Sequence, residues 1–228
     1  MKKLLIIIIE PVVELFCISL SYIFSYKLFV YLNRFSNLLY TYWLKRYFYT
    51  LGKGSRVCRG CEITRGKQIF IGSNTIIEKN TILAVQSNKT YPSLKIGDNV
   101  TIGESSNISS ANYIEIGNDV LFGRRVTIVD NSHGEFSVED LNMSPTKRSI
   151  VAKGSIIIGE KCWIGEKVTI VGNVSIGKCS IIGAGAVVNK DIPPYSLAVG
   201  VPAKVVKKLQ CNGSFNFFII IVFGIIHY

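Results

Sequence analysis

The sequence predicts an all-β solenoid, and three observations carry that prediction. Aliphatic residues recur every six positions through Ile158, Ile164, Ile170, Ile176, Ile182 and Val188. A small residue follows most of them, at Gly159, Gly165, Val171, Gly177 and Gly183. The fifth position of the hexad is often small too, as at Thr75, Val100, Val120, Val126, Cys162, Val168, Ser180 and Ala186. A helix repeats every 3.6 residues and a strand every 2, so neither would hold these positions on one face with glycine at a fixed phase. Stacked coils with flat faces and tight corners would, the aliphatic pointing into the core and the small residue letting the chain turn.

In chain order, residues 1–50 read as a hydrophobic, basic helical segment. Lys2 and Lys3 precede the run L-L-I-I-I-I, which imitates a secretory leader. Glu10, Pro11 and Glu14 interrupt it, and no small-x-small cleavage site follows. The longest uncharged run, Leu15 to Tyr26, has 12 residues, where a spanning helix needs about 20. Lys27, Arg34 and Lys45 are spaced by 7 and 11 residues, and so fall within about 20° of one another on a helix. That basic stripe, flanked by Tyr31, Phe35, Tyr42 and Trp43, suits a helix lying on an anionic membrane surface. Packing on its own domain or on a neighbouring subunit is the competing reading.

Residues 51–208 hold the repeat. Val57, Ile63 and Ile69 begin it, and Ile71 and Ile77 continue it in a shifted phase. Ile96, Ile102 and Ile108, then Ile116, Phe122 and Ile128, carry it forward. Two stretches break it, Ser87 to Lys95 and Asp130 to Ser149; loops that leave a stiff scaffold are where function is expected. Residues 209–228 form an apolar tail around Phe217 to Ile226, too short to span a bilayer alone. An edge strand, a packed segment and a lipid contact all suit it.

With 48% hydrophobic residues in 228, the chain can bury a sizeable core, which excludes a disordered chain. Its length suits one main domain with at most a small appendage. The formal charge of +11 points to an acidic partner. No Lys/Arg block alternates with aromatics and no nucleic-acid motif is present, so nucleic acid is not the expected partner. A solvated basic surface, an anionic membrane near the N-terminus, and a phosphate-bearing ligand near Lys190, Lys204 and Lys207 remain. Cys58 and Cys61 have C-x-x-C spacing without a second pair or a histidine, so neither a zinc site nor a redox motif is expected. Free thiols suit a cytoplasmic protein, with residues 1–50 at the inner face of the cell membrane under the first of the two readings above.

The segments I-G-N-D-V-L-F-G-R-R-V-T-I, I-I-I-G-E-K-C-W-I-G-E-K-V-T-I, I-I-G-A-G-A-V-V-N-K-D-I-P-P and V-G-V-P-A-K-V-V complete the pattern. Together, over about residues 57–208, the chain resembles hexapeptide-repeat acyltransferases of the maltose and galactoside O-acetyltransferase type. The resemblance implies a left-handed parallel β-helix of three hexads per coil, here preceded by the N-terminal helical segment. The handedness comes from the resemblance, since most β-crossovers are right-handed. It also implies a homotrimer with active sites between subunits, and acetyl-coenzyme A as acyl donor with no metal. On that basis Gly165, Glu166, Ala184, Asn189, Lys190, Lys204 and Lys207 are expected to line the coenzyme A groove. Ala184 matters because a bulky side chain would block the pantetheine arm. Trp163 either walls this groove or packs between subunits.

Of the two histidines, His227 lies in the apolar tail and His133 opens the long interruption in V-D-N-S-H-G-E. Acyl transfer to an alcohol needs a general base, because a neutral hydroxyl attacks a thioester poorly. Imidazole, with an unperturbed pKa of about 6.5, suits that work near neutrality. Counted from Ile116 without a gap, the resemblance places His133 at the family's catalytic histidine. A close subgroup carries a second histidine where Asn131 stands here. Asp130 or Glu135 is the candidate to orient the imidazole. Ser105, Asn107, Asp130, Asn131 and Glu135 are candidates to meet the acceptor. The implied function is direct acetyl transfer from acetyl-coenzyme A to a saccharide hydroxyl, in surface polysaccharide biosynthesis. The alternatives are N-acetylation of an amino sugar and a catalytically silent trimeric scaffold.

Overall fold

The computed structural model describes residues 2–23, 25–87, 91–135 and 137–209. The expected tail beyond residue 209, with His227, lies outside the described residues. Residues 1–39 and 40–228 form two units. The first holds α1 (Lys2–Ile23) and most of α2 (Tyr26–Leu44). Among the described residues no single helix is long and apolar enough to cross a membrane.

The second unit winds in coils of three strands. The first coil holds β1 (Thr50–Leu51), β2 (Arg56–Val57) and β3 (Glu62–Thr64), and the second β4 (Ile69–Ile71), β5 (Ile76–Ile77) and β6 (Ile82–Val85). The third holds β7 (Leu94–Ile96), β8 (Thr101–Ile102) and β9 (Asn107–Ser110), and the fourth β10 (Tyr113–Ile116), β11 (Leu121–Phe122) and β12 (Thr127–Val129). A hairpin of β13 (Asn131–His133) and β14 (Ile150–Ala152) then leaves the body. The fifth coil holds β15 (Ser155–Ile158), β16 (Trp163–Ile164) and β17 (Thr169–Val171), and the sixth β18 (Val174–Ile176), β19 (Ile181–Ile182) and β20 (Val187–Val188). Two further strands, β21 (Ser196–Val199) and β22 (Lys204–Lys208), end it.

Corresponding strands of successive coils pair in parallel, so three sheets form. The first runs β1-β4-β7-β10-β15-β18, the second β2-β5-β8-β11-β16-β19-β21-β22, and the third β3-β6-β9-β12-β17-β20. Each sheet sends one column of the six-residue series inward. Ile96, Ile116, Ile158 and Ile176 stack in the first, Ile77, Ile102, Phe122, Ile164 and Ile182 in the second, and Leu83, Ile108, Ile128, Ile170 and Val188 in the third, all buried. Parallel sheets buried on one side against each other make a continuous dry core, and apolar burial drives the stack. The early phase shift recurs up the first sheet, whose strands from β4 on each turn two alternate residues inward: Ile69 and Ile71, Leu94 and Ile96, Ile114 and Ile116, Ile156 and Ile158, Val174 and Ile176.

The role expected for the small residue after each aliphatic is corrected by the backbone. Gly117, Gly159, Gly165 and Gly177 are not the residues with positive φ. The left-handed corner residue sits two positions later and is mostly not glycine, as at Asn99, Asp119, Arg125, Lys161 and Lys167. The glycines are needed because the next coil lies against them. A Cβ on Gly165 would stand 2.6 Å from the Ala184 backbone nitrogen and 2.8 Å from the Ile182 carbonyl oxygen, where neither rigid partner can move aside. Gly165→Ala is therefore expected to cost about 3 kcal/mol, the upper range of overpacking effects. Urea unfolding of the two proteins measures it, and a change below about 0.5 kcal/mol would contradict this packing.

Polar groups at the corners are shared between coils. Asn74 Nδ2 donates to Asn99 Oδ1 and Asn99 Nδ2 to Asp119 Oδ1, a ladder up one corner. Buried hydroxyls at the fifth hexad position bond the neighbouring backbone, Thr75 to the Gly97 carbonyl at 2.7 Å and Ser180 to the Pro193 carbonyl at 3.0 Å. Among the described residues no buried side-chain polar atom lacks a partner, as buried polar groups require. Thr41, Leu44 and Phe48 seat the start of this unit beneath the first coil. The Thr41 hydroxyl both accepts from the Val57 N–H and donates to the Val57 carbonyl, each at 3.1 Å. At the other end β22 turns back and pairs antiparallel with β21.

Candidate active site

The site is built where the stack opens between the fourth and fifth coils. Between β12 in the third sheet and β15 in the first, the chain leaves the body at Asp130 and re-enters after Gly154. Asp130 is buried at the foot of this arm. Its carboxylate accepts from three backbone N–H groups of the coil below, Ala111 at 2.6 Å, Asn112 at 2.9 Å and Tyr113 at 3.0 Å. The Ser110 hydroxyl and Asn131 Nδ2 donate to it as well. Its own carbonyl accepts from the returning Lys153 N–H at 2.6 Å. A carboxylate surrounded by five donors is committed to the scaffold. In this chain the Asp130 carboxylate bonds these groups and not the His133 ring.

Above the foot, β13 and β14 form an antiparallel ribbon in the register Asn131↔Ala152, Ser132↔Val151 and His133↔Ile150. The Gly134 N–H donates to the Ser149 carbonyl at 2.8 Å and closes the next rung. Gly134, at φ 83°, makes the sharp exit. Beyond it Ser137 caps the short helix α3 (Val138–Leu141), accepting from the Asp140 N–H. Asp140 Oδ2 accepts from the Glu135 N–H at 2.6 Å, so the turn is tied from both sides. His133 is exposed at the end of β13. Among the described residues its ring has no hydrogen-bond partner, and Glu135 meets Asp140 through its backbone. Neither acid placed near His133 in the sequence holds the imidazole.

Asn131 ties the arm to the outer face of the third sheet, donating to the Ser109 carbonyl at 3.1 Å and the Ser109 hydroxyl at 3.2 Å. That face is lined in register by Asn107, Thr127 and Thr169, with Ser109 beside them. Asn107 thus lies on the same surface as the arm. Ser109, Thr127 and Thr169 are site candidates that the sequence reading missed. Their signal was the outward, polar phase of the same strands whose inward phase is Ile108, Ile128 and Ile170.

The expected coenzyme A residues separate into three places. Gly165, Glu166 and Ala184 lie on the corner between the second and third sheets, in the fifth and sixth coils, with Ser105 at the same corner of the third. Glu166 and Ala184 are exposed, whereas Gly165 is buried and its N–H already donates to the Ile182 carbonyl. Asn189 and Lys190 follow β20, on the corner from which the His133 arm leaves two coils earlier. Lys204 and Lys207 lie on β22, opposite Val199 and Leu197. Within one chain, His133 and the Gly165–Ala184 corner stand on opposite edges of the third sheet, so one chain does not bring them together. Trp163 points outward from the second sheet, in register with the half-exposed Leu121 and with Ile181.

Three buried thiols are chemically quiet. Burial, with the nearby Glu78 carboxylate, pushes Cys58 up to about 11. Burial likewise raises Cys61 and Cys162 to about 11. Thiolate is the reactive form, so these side chains act as compact hydrophobes at neutral pH. Among the described residues no group of three or more His, Cys, Asp or Glu gathers as a metal site would need.

Comparison with known proteins gives the following. Residues 155–190 match the family model described as bacterial transferase hexapeptide, six repeats. WbbJ of Escherichia coli (strain K12), provisionally named a lipopolysaccharide biosynthesis O-acetyl transferase, is 36% identical over 94 residues, 40% of this chain and 47% of that protein. SACOL2570 of Staphylococcus aureus (strain COL), provisionally named an acetyltransferase, is 49% identical over 70 residues, 31% of this chain and 35% of that protein. The chain thus spans less than half the length of these relatives. Among solved structures, the hexapeptide-repeat containing acetyltransferase VCA0836 from Vibrio cholerae aligns with a TM-score of 0.53 and 26% identity, over 76% of this chain and 81% of that one. A mutant of AntD, an N-acyltransferase from Bacillus cereus in complex with dTDP-4-amino-4,6-dideoxyglucose and coenzyme A, aligns with a TM-score of 0.62 and 20% identity, over 74% and 88%. At that identity the likeness concerns the fold.

Proposed function

We propose that the chain, whose residues 155–190 match the bacterial transferase hexapeptide model, is an acetyl-coenzyme A-dependent O-acetyltransferase acting on a saccharide hydroxyl. The observation that carries this reading is the arm itself. A clamped hairpin holds one exposed imidazole at the edge of a polar sheet face, on a repeat shared with acetyltransferases. In this reading the coils wind left-handed, and three chains assemble so that the His133 arm of one faces the Gly165–Ala184 corner of its neighbour. The separation of these two groups within one chain supports a shared site. The apolar outward column of Leu121, Trp163 and Ile181 supports contact between subunits. Lys190, Lys204 and Lys207 supply positive charge for the nucleotide phosphates, and small Ala184 leaves room for the pantetheine arm.

The chemistry then follows. The neutral imidazole of His133 takes the proton of the acceptor hydroxyl as its oxygen attacks the thioester carbonyl carbon. A C–O bond forms, the carbonyl oxygen carries the transient negative charge, and backbone N–H groups stabilise it. The C–S bond breaks, and the departing sulfur takes the proton from the imidazolium. No acyl-enzyme forms. The name of the Escherichia coli relative supports a lipopolysaccharide or related surface polysaccharide as acceptor, with the protein working in the cytoplasm.

Two measurements test this. Acetyl-coenzyme A at 100 times its Kd should stabilise the protein by about 2.7 kcal/mol in thermal unfolding. Thiol release should then depend on a saccharide with a free hydroxyl. A panel containing matched hydroxyl and amino sugars separates the acceptors, and preference for the amine would move the reading to N-acetylation. No thermal shift and no release with any sugar would leave a scaffold instead.

A further inference from the structure

The first two helices carry far more apolar surface than their own unit covers. On α1, Ile9, Val12, Val13, Leu15, Phe16, Ile18, Leu20 and Tyr22 are all exposed. At 100° per residue they occupy an arc of about 220°, from Ile18 round to Val13. Glu10, Glu14, Cys17 and Ser21 gather in a stripe of about 60° inside the remaining arc. Ser19 lies inside the apolar arc and Ser21 in the polar stripe, and the hydroxyls are satisfied within the helix, Ser19 donating to the Leu15 carbonyl and Ser21 to the Ile18 carbonyl. On α2, Leu28, Leu32, Phe35, Leu39 and Tyr42 share one exposed stripe of about 80°. Lys27 and Arg34 flank it, and α2 contains no acidic residue.

The width of the α1 surface decides what covers it. A packing helix covers a stripe of about 100°, and a coiled-coil seam covers less. An arc twice as wide needs an apolar medium on several sides. Among the described residues no single helix is long and apolar enough to cross; the bent pair Ile9–Tyr22 and Tyr26–Tyr47 reaches that length and apolarity only together, across a 69° break, and the acidic stripe of α1 argues against its full immersion. A helix lying in the interface plane meets both conditions: its broad side sits among acyl chains and its narrow charged side faces water. The cations of α2, with aromatic Tyr31, Tyr42 and Trp43, match the level of anionic headgroups.

We propose that residues 9–43 form an in-plane amphipathic anchor for an anionic lipid bilayer. This anchor is independent of the acetyl-transfer reading, and its test needs no activity. The full chain should float with vesicles of an equal mixture of phosphatidylcholine and phosphatidylglycerol, and bind vesicles of phosphatidylcholine alone more weakly. The double variant Lys27→Gln, Arg34→Gln should weaken binding to the anionic vesicles about thirty-fold, at about five-fold per cation near such a surface. The double variant Phe16→Glu, Leu20→Glu should abolish flotation on both. All four side chains belong to exposed helix, so unfolding of the β-helical unit should not move. A chain that stays at the bottom of the gradient with both vesicle types overturns the proposal. So does a Phe16→Glu, Leu20→Glu protein that still floats while its sedimentation mass drops, since the apolar face would then join copies of this chain.

Discussion

Replacing His133 with alanine is expected to lower acetyl transfer by about 10²–10⁴-fold, the range of a general base removed from a proton transfer. Urea and thermal unfolding should not change, because the side chain is exposed at the end of β13 and bonds nothing described. The two outcomes together make the test sharp. A structural histidine would lose stability on truncation, whereas a base loses rate alone. The loss should fall on kcat rather than on KM for acetyl-coenzyme A, since the imidazole meets the acceptor hydroxyl and not the nucleotide. Equal rates of coenzyme A release by the two proteins would sink the assignment. Asn131→His is a useful companion: it adds the second imidazole of the related subgroup, and it removes the Asn131 Nδ2 bonds to Ser109 and Asp130, so its unfolding must be measured beside its rate.

Asp130→Ala should destabilise the protein by about 4 kcal/mol, near the top of the range for single substitutions. Three backbone N–H groups, at Ala111, Asn112 and Tyr113, would lose their acceptor. Each bond to a charged group contributes about 1.5–3 kcal/mol, and a buried donor left unsatisfied carries its full desolvation penalty. Asp130→Asn should cost about half as much, because one amide oxygen still accepts while the NH₂ now faces donors. The urea midpoint measures both. The hairpin should loosen with the clamp, so activity should fall in the Ala variant even at temperatures where the coils remain folded. A loss below about 1 kcal/mol would show that the corner does not depend on this carboxylate.

The coils were legible in the sequence for a plain reason. A core that repeats by translation must repeat its residues, so Ile158 to Val188 announce six inward positions directly, and all six are buried. The interruptions were legible too, as the stretches where that demand lapses. What the glycines do was not. Their number suggested bending, but bending falls to Asn99, Asp119 and Lys161, and the glycines answer to the coil above them. That contact is made with residues roughly one coil further along the chain, and no local pattern reports it. The partners of Asp130 were hidden for the same reason. Asp130 stands three residues from His133 in sequence, which invited a catalytic pairing, yet its backbone partners lie at Ser110 to Tyr113, the corner between the third and fourth coils. The outward polar column of Asn107, Thr127 and Thr169 was present in the letters, but attention to the inward phase hid it.

The two ends of the stack have a consequence for what this molecule refuses to do. A pile of parallel strands exposes unpaired amides and carbonyls at its first and last rung, and such edges invite endless growth into fibres. Here Thr41 occupies the amide and carbonyl of Val57 at one end. At the other, β22 runs against the grain and carries Lys204, Lys207 and Lys208 along the margin. Another copy arriving there would meet a strand of the wrong direction and a row of like charges. In its second sheet, the same repeat that resembles an amyloid rung thus meets a stop at both ends.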